Sequence, residues 1–443
     1  MNRSSNRALL RVRCAAAALC SLLLVSACAA DVSGRTGAPE NVGGTSDLSW
    51  ALGYTGGTEK AASGQPIKIG WVNGEGGVWS FPDTTVAADA AVEFVNKKLG
   101  GLGGRPIELV KCFVDTPEAG RRCASEMINA AVPLVVWGVA AAGNAEFFGA
   151  LGGRIPTLVG VAITAPDLTG KNAFSYGPTS PVTLSGLVKF TGGLAPAGHK
   201  VVATAIDAPA GRYGLDNYIV PGLKAAGLDV TAVALPSDAT GPQMATALTS
   251  AGLADADVLV SSAALSTCAP MYDAIQQIAS KRLQVIDTGG CIDAAFTQYL
   301  ADRGVKGDFP DGWYFSGPAY SPLLPTDKGG VNTYLQGLKD YAPKNVNFFS
   351  PFTQYGFAAA FSIPAILNKV AGDLTPVTVL SALKSFDKEY MMTSGKPECG
   401  REASAPAACS FTSGITQYKD GKFEPVRMGN NDNPMVIEKL AGS

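Results

Sequence analysis

The sequence predicts an α/β fold: two Rossmann-like lobes, each a parallel sheet covered by helices, joined by a multi-strand hinge. Three observations predict it. From Pro66 onward, short β-rich apolar runs alternate with longer amphipathic stretches, as parallel strands with helical crossovers require. The series breaks near Ser180-Pro181 and then restarts. After Trp313–Ser316 come three helical stretches with no strong strand between them, so the chain returns to the first lobe.

The elements follow in order. Residues 1–27 carry Arg3, Arg7, Arg11 and Arg13 and no acid, then an apolar run from Cys14 to Ala27 broken only by Ser21 and Ser26. A basic start, a short apolar run and small residues before a cut describe an export signal. The run is shorter than the roughly 18 residues a spanning helix needs. Residues 28–65 are rich in Gly, Ser, Thr and Ala without an apolar period, and read as a flexible tether. Ile67–Val72 is a strand ended by Asn73-Gly74, and 83–98 a helix with Val86, Ala90, Phe94 and Val95 on one face. Ile107–Val114 is the next strand, and Thr116-Pro117-Glu118 opens a helix with an N-cap and a proline at N1. Pro133–Gly138 and Thr157–Val161 complete the first series. The second runs Val201–Ile206, Val230–Leu235, Val258–Ser262 and Leu283–Asp287, with helices between. Val331–Tyr341, Phe352–Lys369 and Val377–Phe386 are the returning helices. The expected organisation is 66–180 with 318–395 as lobe I, 181–317 with 396–430 as lobe II after a C-terminal crossover, and 431–443 as a tail. Ligands of open parallel sheets bind beyond the carboxyl ends of the strands, so two facing lobes make one cleft.

Composition narrows the function. The chain has 443 residues, 47% of them hydrophobic, enough for a large core and two or three domains. The leader holds four of the 35 basic residues and no acid, which leaves 31 against 37, a net of −6. With no basic cluster after the leader, nucleic acid is excluded as a partner, as is direct binding to anionic lipid. Beyond Cys14, Cys20 and Cys28, six cysteines remain: Cys112, Cys123, Cys268, Cys291, Cys399 and Cys409. An even set suits an oxidising compartment. Six thiols allow 15 connectivities, of which neighbour pairing is the simplest. No CxxC spacing occurs and His199 is the only histidine, so neither a metal site nor a Ser-His or Cys-His pair is expected. After Gly74-Glu75-Gly76-Gly77 the GxGxxG spacing fails at Trp79, which excludes a dinucleotide fingerprint. The chain reads as no enzyme and as needing no cofactor.

Leu24-Val25-Ser26-Ala27-Cys28 resembles a bacterial lipobox, whose cysteine is acylated before cleavage. That likeness implies an extracytoplasmic protein anchored to the bacterial cell membrane through Cys28 alone. Several further segments together resemble the type I periplasmic binding proteins of the leucine/isoleucine/valine-binding branch. They are IKIGWVNGEGGVW, Phe94-Val95-Asn96 with Gly100–Leu109, Pro156–Val159 with Thr164-Ala165-Pro166-Asp167-Leu168, and Asp207 with Tyr213-Gly214. The likeness runs from about Pro66 to Val426. It implies a receptor that closes two lobes over a small-molecule ligand and delivers it to the permease and ATPase subunits of an ABC importer. A ligand-sensing or scaffold lipoprotein on the same fold is the alternative.

The resemblance also implies site positions. Ala141 stands where the family places a carboxylate-binding serine, Asn144 follows in the same loop, and Ala162 and Thr164 form the next loop. Gly289 lies in Thr288-Gly289-Gly290, where the family places an ammonium-binding acid; Asp287 and Asp293 flank it. Trp79, Phe81, Tyr213 and Phe352 are the aromatic candidates. Both groups that would hold a zwitterion are thus missing or displaced, and an unpaired buried charge is costly. The expected ligand has one polar head and an apolar body.

Overall fold

The computed structural model describes residues 48–77, 79–263, 265–278, 283–324, 326, 328–427 and 434–442. The leader, Cys28 and the first part of the expected tether lie outside them. Lobe I is built on five parallel strands: β1 (Ile67–Asn73), β2 (Ile107–Phe113), β3 (Val135–Trp137), β4 (Thr157–Val159) and β5 (Ala173–Phe174), in the order β2-β1-β3-β4-β5. Lobe II adds β6 (Lys200–Ile206), β7 (Asp229–Leu235), β8 (Val258–Ser262), β9 (Gln284–Asp287), β10 (Tyr314–Gly317), β11 (Thr412–Lys419), β12 (Lys422–Pro425) and the short β13 (Met435–Val436). Its order is β12-β11-β10-β9-β8-β6-β7, with β13 on β11.

The two expected lobes are present, with one difference of kind. The second sheet is mixed, because β11 runs antiparallel to both β10 and β12. Asp420 and Gly421 join β11 to β12 with φ of 51° and 81°, the positive pair that a two-residue hairpin needs to match strand twist.

Three expected boundaries move. Residues 48–65 are not a free tether. Ser49–Thr55 is a helix with Ala51 and Tyr54 buried, and Trp50 stacks on Tyr54 at 4.8 Å. The Tyr54 hydroxyl meets Ser362 Oγ at 2.8 Å, Asn368 Nδ2 donates to Thr55 O at 2.9 Å, and Lys388 Nζ donates to Tyr54 O at 2.8 Å. A seven-residue helix has little stability of its own; these contacts with helix Pro351–Leu367 and its neighbours hold it on lobe I. The segment before β11 belongs with lobe I up to Cys409, because Ser175 N–H donates to Ala407 O and Cys409 N–H to Ser175 O. The tail is no appendage either, since β13 pairs with β11 and Ile437 and Leu440 are buried.

The six cysteines form three neighbour pairs: Cys112–Cys123, Cys268–Cys291 and Cys399–Cys409. Cys112 lies on β2 and Cys123 in the helix that follows it, and closing so short a loop stabilises by about 3 kcal/mol through the unfolded chain. Peptide mapping without reduction should recover these three pairs, and crossed pairs or free thiols would contradict them. Among the described residues no helix is long and apolar enough to cross a membrane.

Candidate functional site

The candidate residues fall on the loops at the carboxyl ends of β1, β3 and β4 in lobe I and of β6 and β9 in lobe II. Asn73, the last residue of β1, organises the first two. Its side chain is fully buried. Oδ1 accepts from Val139 N–H at 3.0 Å. Nδ2 faces Phe81 O at 2.9 Å, Glu75 Oε1 at 3.1 Å and Thr85 Oγ1 at 3.1 Å. Two protons serve these three acceptors, so one bond is shared. Thr85 Oγ1 also donates to Glu75 Oε1 and accepts from Trp71 Nε1 at 2.8 Å. Phe81 N–H closes the 74–81 loop onto Gly74 O at 2.8 Å, and Gly74 N–H donates to Val139 O at 2.7 Å. The loops after β1 and β3 therefore share one polar hub, and nothing in sequence periodicity signals it.

This frame places the aromatic candidates. The Phe81 and Phe352 rings meet at 4.7 Å with their planes tilted by 48°, a favourable aromatic geometry, and both are half-buried. Trp79 is half-buried in the same loop as Phe81. Tyr213 sits elsewhere, on lobe II, where its hydroxyl meets that of Tyr218 at 2.9 Å. The contact lies within lobe II, next to the π turn over Leu215–Ile219.

The polar candidates are more strongly committed than expected. Ala141 is half-buried and precedes helix Asn144–Leu151, which Gly143 enters at φ 71°. A Cβ there would fall 2.6 Å from Thr116 O, so only glycine fits. Asn144 is buried, and its Nδ2 donates to Ala140 O at 2.9 Å and to Asp167 Oδ1 at 2.7 Å. Its side chain holds the loop and has no amide proton left for a ligand, so only its backbone N–H, at the start of the helix, is open to one. Ala162 O accepts from Ser180 N–H at 2.9 Å, so this carbonyl too serves the fold. Thr164 caps the short helix Ala165–Thr169, and its N–H donates to Asp167 Oδ2 at 2.9 Å.

In lobe II, Gly289 is buried at φ 82°, and its N–H donates to Asp287 Oδ1 at 2.8 Å. Cys291 N–H reaches the same oxygen at 3.4 Å. Asp287 thus turns inward, and burial pushes its carboxyl up to about 6 against those hydrogen bonds. Asp293 caps helix Ala294–Asp302 through Ala295 N–H at 2.7 Å. Asp287 Oδ2 is buried without a hydrogen-bond partner, whereas Asp293 is engaged as a helix cap.

The lobes also touch along one edge. Asn347 Nδ2 donates to Ile292 O at 3.2 Å and reaches Asp293 Oδ2 at 3.4 Å, and Phe349 packs against the apolar cores of both lobes. Burial raises the Asp83 carboxyl above its usual range, and Asp293 from the facing lobe raises it further. A cavity of about 20 Å³ at the hinge, lined by Ser316, Phe349 and Gln354 among others, is the size of one water.

Residues 66–422 match the family described as periplasmic binding protein. Among solved structures, the fold is similar to three ligand-binding proteins. A solute-binding protein of an ABC transporter from R. palustris, in complex with 4-hydroxybenzoate, is 15% identical with a TM-score of 0.62, covering 85% of this chain and 98% of its own. A fatty acid ABC transporter substrate-binding protein from Thermomonospora curvata is 18% identical with a TM-score of 0.64, covering 86% and 96%. A leucine-binding protein from Thermotoga maritima is 14% identical with a TM-score of 0.63, covering 82% and 98%. No curated protein matches the sequence.

Proposed function

This chain belongs to the periplasmic binding protein family, and from that premise we propose that it is a lipid-anchored receptor that captures an apolar or aromatic compound with one polar head. It delivers that ligand to the permease and ATPase subunits of an ABC importer of the branched-chain amino acid type. Closure of two lobes over the ligand shifts an open–closed equilibrium, and the transporter reads the closed form. The observation that carries the ligand class is the Phe81–Phe352 ring pair at 4.7 Å, set beside a loop whose Asn144 side chain is already committed. An apolar body suits the rings. A single anionic head suits Thr164 and the first-turn N–H groups of helix Asn144–Leu151, which have no intrahelical partners. A neighbour in complex with 4-hydroxybenzoate and a fatty acid ABC transporter substrate-binding protein support this reading, and the leucine-binding neighbour makes leucine the control.

Thermal shift with 4-hydroxybenzoate, decanoate and leucine tests it. A true ligand at a hundredfold excess over its dissociation constant adds about 2.7 kcal/mol. Stabilisation by an aromatic or aliphatic carboxylate, weakened by Trp79→Ala or Phe352→Ala, is expected. Micromolar binding of leucine, isoleucine or valine would show the ligand class to be wrong. The anchor has its own test: Cys28→Ala should abolish incorporation of labelled fatty acid, and persistent labelling would remove Cys28 from the proposal.

A further inference from the structure

We propose that Asp167 is a positioning residue for ligand capture: its ionised carboxylate ties the loop after β4 to the loop after β3, and a proton on it unties them. Asp167 is fully buried. Oδ2 accepts from Ile163 N–H at 3.0 Å and Thr164 N–H at 2.9 Å, and Oδ1 accepts from Asn144 Nδ2 at 2.7 Å. The other Asn144 amide proton goes to Ala140 O at 2.9 Å. One carboxylate therefore sets the backbone at Ile163-Thr164 and, through Asn144, the chain at Ala140. Between them these loops carry Ala141, Asn144, Ala162 and Thr164, so the proposal rests on reading them as ligand-binding.

The chemistry of the contact makes it a switch. Three of the groups that meet this carboxyl, Asn144 Nδ2 and the Ile163 and Thr164 N–H groups, can only donate, so a proton placed between an oxygen and any of them displaces that bond. On Oδ1 the proton forces the Asn144 amide to turn, and the turned amide can no longer donate to Ala140 O; on Oδ2 it displaces the Ile163 and Thr164 N–H groups. The charged groups on the surrounding elements are Glu146 and Arg154 after the β3 loop, Lys171 beyond the short helix, and Glu398, Arg401 and Glu402 in the segment that pairs with Leu168. None contributes to the state of Asp167: burial raises its carboxyl to about 6, and the hydrogen bonds from Asn144, Ile163 and Thr164 oppose that. Proton uptake thus falls in mildly acidic surroundings.

Asp167→Asn mimics the protonated form, with one accepting oxygen and one donor in place of two acceptors. Hydrogen exchange on the full mature chain, corrected for intrinsic rate, reads the loops without any ligand. Between about pH 7.5 and about pH 5, the peptides covering 139–146 and 160–168 should lose protection about tenfold in the wild type, because only about a tenth of Asp167 stays ionised. Strands β6 to β8 should not change. Asp167→Asn should show the low-protection loops at both pH values. Unchanged loop protection at low pH, wild-type protection in Asp167→Asn, or loss spread over the whole lobe would each overturn the proposal. If Asp167→Asn does not fold, the wild-type pH series decides alone. Calorimetry with 4-hydroxybenzoate as probe then reads function: binding about tenfold weaker at the lower pH, and independent of pH in Asp167→Asn, supports the coupling. Binding that ignores pH while the loops respond overturns the coupling. Absence of probe binding at both pH values counts against the ligand class alone, and exchange still decides the loops.

Discussion

Asn73→Ala should cost about 3 kcal/mol and dismantle the ligand-facing end of lobe I. The substitution removes the acceptor of Val139 N–H and the donor to Phe81 O. Both partners are main-chain groups tied to a fully buried side chain, and a buried polar group left without its partner costs about 1–3 kcal/mol. Glu75 and Thr85 keep their bond to each other and limit the loss. The loops after β1 and β3 lose their common fixture, so the Phe81–Phe352 pair should lose its geometry as well. Gly138→Ala attacks the same hub differently, since a Cβ there would sit 2.5 Å from Asn73 Oδ1. Urea unfolding measures the first effect, and tryptophan fluorescence of the first loop, which carries Trp79, reports the second. A loss below about 1 kcal/mol would mean that the hub is not a structural centre.

Acidification should first stabilise this protein. Asp167 and Asp287 are both fully buried, and burial pushes each carboxyl from 3.8 up to about 6. A carboxyl raised on folding binds its proton more tightly in the native state. Its contribution is complete below the unfolded value of 3.8 and is lost as pH rises through about 6. Lowering the pH from about 7.5 to about 5 should recover on the order of 1 kcal/mol for each group. Asp83 and Glu389 shift the same way through burial. The exposed Asp207 and Glu424, lowered by hydrogen bonds from Arg212 and Lys422 respectively, pull in the opposite direction. Melting temperatures across that window should therefore rise before ordinary acid unfolding begins, and Asp287→Asn should flatten the rise. A steady fall from neutral pH would refute the account. The rise in overall stability runs against the predicted loosening of the loops around Asp167, so the two measurements cannot mimic each other.

How much of this was legible in the sequence depended on where each stabilising contact came from. Val258–Ser262 and Val331–Tyr341 match their observed ranges because their apolar runs are local and bounded by turn residues. Most other central strands came within one or two residues. The two-residue β5 and β13 were not seen, since no periodicity exists at that length. The β11–β12 hairpin could have been found: Asp420-Gly421 between Tyr418-Lys419 and Lys422-Phe423 is a strong hairpin signal. The helix at Ser49–Thr55 was hidden because its partners Ser362, Asn368 and Lys388 lie about 300 residues away. At the site, Phe81 and Phe352 stand out as aromatics in polar surroundings. The fates of Asn73 and Asn144 do not, because hydrogen-bond destination is set by loops adjacent in space. Asp167 was readable as the third helical residue after Thr164, a capping-box position, though not its reach to Asn144.

The docking of residues 48–65 on lobe I decides where mechanical load enters the molecule. With a lipid on Cys28, as proposed, any pull from the membrane arrives at Leu48 through a span of at most about 70 Å of extended chain. It then passes through Thr55, Tyr54 and Trp50 into helix Pro351–Leu367 and the turn at Lys388. All of these belong to lobe I, so tension ends there without crossing the hinge. In the proposed closure, lobe II would then swing as the unloaded arm, and the work of closing over a ligand would be done against no drag from the anchor.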